Sequence, residues 1–220
     1  LFMFSLTLQW LLGHSTTFQV FEGQLQDIFI KQRAANQTPS DEIVVIDIDD
    51  TSIVALSSVV GKWPWPRSVH AELLEFLTTQ NPKAIVFDIL FSEPDLYRPD
   101  SDDYFNEVLA DQQNIYFAMT SQKTMGLQNT PLMMTYPKEL GLQKTENARK
   151  DARAYLLLPK AVAQSSWRLG SINFLPDHDG IGRLYPLYHD FDGWRMPSLP
   201  AKIVSNLGYD LPNMKNLVLD

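Results

Sequence analysis

Three carboxylates in Asp47-Ile48-Asp49-Asp50-Thr51 close the apolar run that begins at Ile43, a pattern suited to nucleophilic and acid–base work. In phosphoryl transfer an Asp-x-Asp-x-Thr arrangement divides the work. The first carboxylate attacks phosphorus, the second acts as acid and base, and both help to hold magnesium. That mechanism also needs a lysine to balance phosphate charge and a late strand ending in further metal-binding acids. Neither Asp177-His178-Asp179 nor Asp190-Phe191-Asp192 has such a setting. The competing account gives Asp50 a helix-cap role and leaves Asp47 paired with Arg67 or with backbone amides.

Other chemistries fail on spacing. Asp177-x-Asp179-Gly180 opens like a calcium loop, but the fifth, sixth and twelfth positions hold Ile181, Gly182 and Tyr188, so an oxygen ligand and the closing glutamate are missing. The histidines, His14, His70, His178 and His189, show no tight ligand pairing, and there is no cysteine. No Gly-x-Ser-x-Gly elbow and no phosphate-cradling glycine loop occurs. We therefore expect no catalytic residue, no metal and no cofactor. A net charge of -8 and a pI near 4.9, with lysine and arginine scattered, argue against nucleic-acid binding.

A binding site is the remaining possibility. Asp47, Asp49, Asp88 and Glu93 fall at the carboxyl ends of two expected parallel strands, where open α/β sheets place their ligand crevices. Between those strands lies Gly61-Lys62-Trp63-Pro64-Trp65-Pro66-Arg67. Two indoles fixed by two prolines form a stiff segment whose backbone cannot fully pair in a sheet, so it must lie over something. It reads as a lid on the sheet end, with Trp63 and Trp65 as apolar walls and Arg67 facing the acids. Asp179 and Arg183 join as a second acidic and basic pair. Structural pairing of these groups and binding of a small molecule or cation both stay open.

The surrounding helices and strands follow from residue pattern. With 220 residues, 45% hydrophobic and 20% charged, the chain can bury a full core. Apolar residues at Phe18, Phe21, Leu25, Ile28 and Phe29 recur at helical spacing and predict a helix to about Arg33. Ile43–Ile48 and Ala84–Leu90 read as strands covered on both faces, joined by a helix over Ser52–Ser58 and by one that Ser68 caps and whose stripe is Val69, Leu73, Phe76 and Leu77. That rhythm predicts a right-handed parallel βαβ unit. A helix over Asp102–Asp111 and a strand over Ile115–Met119 come next. Ser121–Arg153 is a polar excursion expected to be the softest part, and Pro159–Trp167 a short helix. Gly170–Leu175 and Ile181–Tyr188 predict a hairpin turning at Asp179-Gly180. A last helix starts at Ser198, buries Ile203, Val204 and Leu207, and closes at Gly208. The expected fold is α/β: a mixed, mostly parallel sheet with an antiparallel hairpin and helices on both faces.

In order, these pieces resemble the CHASE2 family of sensor domains. The resemblance rests on Ile43–Asp50 with Ser52-Ile53, on Gly61–Arg67, and on Ile85–Phe91 with Glu93-Pro94-Asp95. It continues through Leu158-Pro159, Gly170-Ser171-Ile172-Asn173, Asp177–Gly180 with Arg183, and Pro197-Ser198-Leu199. Gly182 and Leu184 flank Arg183 where the family often has a second basic residue, and the family pattern runs on past Asp220. The resemblance implies the extracytoplasmic, periplasmic part of a bacterial inner-membrane receptor that signals to an adenylate cyclase, histidine kinase, diguanylate cyclase or Ser/Thr kinase. Leu1–Gly13 carries no charge and is shorter than the about 20 apolar residues of a spanning helix, so residues 1–17 suit the outer end of one, or a juxtamembrane segment, ahead of a sensor domain over 18–220. The implied partners are the membrane, through flanking helices, and a small molecule, cation or periplasmic protein, with a homodimer as a further option. The alternatives are a haloacid-dehalogenase-like phosphatase using Asp47 and Asp49, and a purely structural dimerisation scaffold.

Overall fold

A computed structural model of the chain describes residues 16–122, 130–159, 168–177, 179–211 and 216–218. The Leu1–Gly13 segment and nearly all of the expected Pro159–Trp167 helix lie outside them. The helices are α1 (Thr16–Ala34), α2 (Asp50–Val60), α3 (Arg67–Thr78), α4 (Pro99–Ala110) and α5 (Leu199–Asn206). The strands are β1 (Ile85–Phe87), β2 (Ile115–Gln122), β3 (Gln143–Lys144), β4 (Tyr155–Leu157), β5 (Leu169–Ser171), β6 (Leu184–Pro186), β7 (Tyr188–Phe191), β8 (Trp194–Pro197) and β9 (Asn216–Val218). No helix among the described residues is long and apolar enough to cross a membrane. The chain divides into two compact units, one of Asp47–Asn173 with Pro186–Asn216, the other of Leu1–Ile46, Phe174–Tyr185 and Leu217–Asp220.

The larger unit is organised by β2. β1 pairs parallel with it, Ile85 opposite Ile115, and β5 does the same, Leu169 opposite Phe117. β4 runs antiparallel against its far end. Because side chains alternate across a strand, Ile115, Phe117 and Met119 enter one apolar cluster while Tyr116 and Ala118 enter another. The first cluster takes Ala71 and Leu74 of α3 and Phe105 and Leu109 of α4; the second takes Leu199 and Ile203 of α5. Helices thus cover both faces of a mixed sheet. Gly170 lets α5 approach the sheet closely, since a Cβ there would stand 2.2 Å from the Leu199 Cα.

Several expectations need correction. Ile43–Ile48 forms no strand among the described residues, and Val45 is 84% exposed. α2 buries none of its side chains. The run has the β-branched composition of a buried strand, but composition does not supply a partner, and β1 is an edge of the sheet among the described residues. α3 is turned slightly from its expected face: His70, Ala71 and Leu74 are buried and Phe76 is exposed. Its cap comes from elsewhere, because the Ser68 amide donates to Ser101 Oγ of α4 at 2.8 Å. α5 buries Leu199, Ala201 and Lys202, while Leu207 is exposed. Ser198 holds the cap position there without a side-chain cap bond.

The hairpin also moves. Asp192 and Gly193, at φ of 51° and 86°, make the two-residue turn between β7 and β8, with Phe191 opposite Trp194. Positive φ at both positions is the geometry that matches strand twist. β5 instead joins β2, and β6 pairs with β9. The polar excursion is anchored rather than loose where described: Met133 and Leu140 are fully buried. Its end packs on the true hairpin, with the Arg149 amide donating to the Asp192 carbonyl at 2.9 Å and Trp194 Nε1 to the Arg149 carbonyl at 2.8 Å.

Candidate functional site

Two clusters gather most of the candidate residues. In the larger unit Pro66 ends the lid segment and α3 begins at once, so Arg67 and His70 lie one helical turn apart on the same face. Trp65 is 6% exposed and Trp63 42%. Their rings meet edge to face at 5.5 Å, and each lies within 6.4 Å of the His70 ring. Below, His70 meets Phe91 at 5.3 Å and Phe87 at 6.2 Å. The lid therefore does pack on the core, and His70 is the post it stands on. Burial among these rings, with the Arg67 charge adding, pushes the His70 pKa down to about 4, so the imidazole is neutral at neutral pH.

Arg67 does not face the acids at the strand ends. Its guanidinium carbon lies 4.6 Å from the Phe91 ring centroid, Nη2 donates to the Glu93 carbonyl at 2.9 Å, and Nε is 3.7 Å from Asp102 Oδ1. Asp102 Oδ2 also accepts the Asp95 amide at 2.8 Å, so α4 holds both the lid arginine and the loop after β1. Asp47, Asp88 and the Glu93 side chain are exposed. Asp49, not Asp50, caps α2: its Oδ1 accepts the Ser52 amide at 2.7 Å and the Ser52 hydroxyl at 2.6 Å, which lowers its pKa.

In the smaller unit Arg183, 6% exposed, reaches three carboxylates. Nε and Nη2 donate to Asp27 of α1 at 2.8 Å each, Nη1 and Nη2 to Asp179 at 3.0 and 2.7 Å, and Nη1 to Asp177 at 3.0 Å. All five guanidinium N–H groups are thereby used. A ligand could take one only by displacing a carboxylate. The bonds to Arg183 hold Asp179 down to about 2, lower Asp27, and raise Arg183 itself.

The sequence pattern of the CHASE2 domain matches residues 2–216, essentially the whole chain. The chain belongs to the CHASE2 domain family. CHASE2 domains are extracellular sensory domains of signalling receptors. Comparison with curated proteins and with solved structures gave no match.

Within this CHASE2 domain the Gly170-Ser171-Ile172-Asn173 stretch closes the carboxyl ends of two parallel strands. Asn173 Oδ1 accepts from the Ser121 amide at 2.7 Å, the Ser121 hydroxyl at 2.9 Å and the Ser171 hydroxyl at 2.7 Å, and its Nδ2 donates to the Ser121 carbonyl at 2.8 Å. This end of β2 and β5 is occupied by the chain's own polar groups. Of the residues singled out in the sequence, the fold brings together Trp63, Trp65 and Arg67, and separately Asp179 and Arg183. His70, Asp102 and Asp27 were missed. For Asp27 a signal was present: it lies one turn after Gly23, a glycine in the middle of a helical pattern, which is destabilising unless something packs there.

Proposed function

We propose that this CHASE2 domain is the extracytoplasmic sensing part of a bacterial transmembrane receptor, is itself noncatalytic, and serves an output cyclase or kinase encoded outside this chain. The family match over residues 2–216 carries the reading. In it, Leu1–Gly13 is the outer end of a membrane helix and α1 is the juxtamembrane relay. A small molecule, cation or periplasmic protein, or a change in a homodimer, shifts the domain between two packings. Such a stimulus must favour one packing over the other, since equal affinity for both shifts nothing.

Helical phase between the membrane and α1 is then decisive, because each inserted residue rotates all that follows by about 100°. Inserting one alanine near Ser15 in the full-length receptor should change output activity, while the domain keeps its melting temperature. The reading fails if the full-length protein has no spanning helix, or if the insertion signals like wild type across the stimulus range.

The noncatalytic part has its own check. Purified protein with magnesium should not hydrolyse a general phosphate ester above buffer, and Asp47→Asn should leave that result unchanged. Turnover that vanishes in Asp47→Asn would replace the sensor with the phosphatase.

A further inference from the structure

We infer that Arg183 seated on Gly23 and Asp27 is a mechanical joint that couples the segment Phe174–Tyr185 to helix α1. The inference rests on the sensor reading only for its consequence at the membrane; the joint itself is argued from geometry within the smaller unit.

Gly23 and Asp27 are four residues apart and share one face of α1. Gly23 is buried, and a Cβ there would stand 2.8 Å from Arg183 Cζ and 2.9 Å from Nη1. The glycine forms a notch, and the planar guanidinium lies in it while meeting Asp27 through two parallel N–H···O bonds. Such a fork fixes angle as well as distance, which a lysine ammonium would not do.

On the other side the segment is braced as one body. The Asp177 amide donates to the Ile181 carbonyl and the Gly180 amide to the Asp177 carbonyl, each at 2.9 Å. The Phe174 ring lies on Gly182, where a Cβ would be 2.0 Å from it, and stacks on Tyr185 at 6.2 Å. Asp177 and Asp179, from the same segment, grip Arg183 from behind. A hydrogen-bonded turn, a 19-residue helix and a fully bonded guanidinium between them would transmit displacement rather than absorb it. Movement of either partner must move the other or break the fork.

Amide hydrogen exchange on the whole chain tests this reciprocally. Asp27→Asn should speed exchange across 179–185 at least about fivefold, and Arg183→Gln should speed it across the middle of α1 by a similar factor, the lower end of ordinary coupling between sites. Exchange in β2 should not change. Should Arg183→Gln not fold, Gly23→Ala tests the loop side: it leaves every charge in place, crowds the guanidinium out of the notch and should speed exchange across 179–185, while the alanine itself favours α1. The joint is overturned if each substitution affects only its own segment, or if protection falls equally in β2.

In the receptor, Asp27→Asn should shift the basal output or the stimulus midpoint. Coupled exchange with unaltered output would overturn the joint's part in signalling. Uncoupled exchange, with output still sensitive to the insertion near Ser15, would overturn the joint and leave the sensor reading standing.

Discussion

Trp65→Ala should lower the free energy of unfolding by roughly 3 to 5 kcal/mol, the usual cost of deleting a large buried ring. That is a large share of the roughly 5 to 15 kcal/mol that holds an ordinary domain together. The indole is 6% exposed and meets Trp63 and His70, while its Nε1 has no hydrogen-bond partner among the described residues. The loss is therefore one of apolar burial and ring packing, not of a hydrogen bond. Trp63→Ala, at a position 42% exposed, should cost clearly less. Chemical denaturation of both variants checks the pair. An unchanged midpoint for Trp65→Ala would show that the indole does not pack as described, and equal losses at the two positions would remove the distinction between buried and outer indole.

The second large effect is acid destabilisation through His70. Its pKa is about 4 in the folded protein, against an ordinary 6.5. The folded state resists the proton that the unfolded chain accepts, so the stability it confers is fully present above pH 6.5 and is lost as pH falls from there to about 4. At about 1.4 kcal/mol per pH unit, the loss across that window is about 3 kcal/mol. Asp27 and Asp179, lowered by Arg183, contribute at more acid pH with the same overall sign, since their stabilisation is lost as they protonate. Comparison with His70→Leu isolates the imidazole. Urea midpoints measured between pH 7.5 and 4 should fall more steeply for wild type than for the variant. Parallel curves would mean that His70 is not held neutral by its surroundings.

Trp63, Trp65, His70, Phe87 and Phe91 meet in one small volume that runs from surface to core. A lid standing on a neutral histidine gives the segment after α2 a definite seat. Its arginine is tied away from Asp47 and Asp88 and toward α4, through the Phe91 ring and Asp102. The segment is thus a packing element whose outer indole still meets solvent.

What the sequence determined by itself was local. The helical spacing from Phe18 to Phe29, the stripe of α4 and the apolar run of β2 needed no partner to be read, because backbone propensity and side-chain period are properties of the segment. The Trp-Pro run announced a covering segment for the same reason, since proline removes ladder donors wherever it sits. Tertiary structure decided every choice among equals. Asp179-Gly180 and Asp192-Gly193 carry the same turn chemistry, yet among the described residues it is the second that joins two paired strands, while β5 joined β2 and β6 joined β9. Arg67 had several acids to choose from, and the packing of α3 beside α4 selected Asp102. Ile43–Ile48 had the composition of a buried strand and no strand partner among the described residues. Arg183 found Asp179 four residues away, but its second bidentate partner, Asp27, lies 156 residues distant. Pairing across such separations depends on which surfaces the folded chain brings together, and that information resides in no single segment.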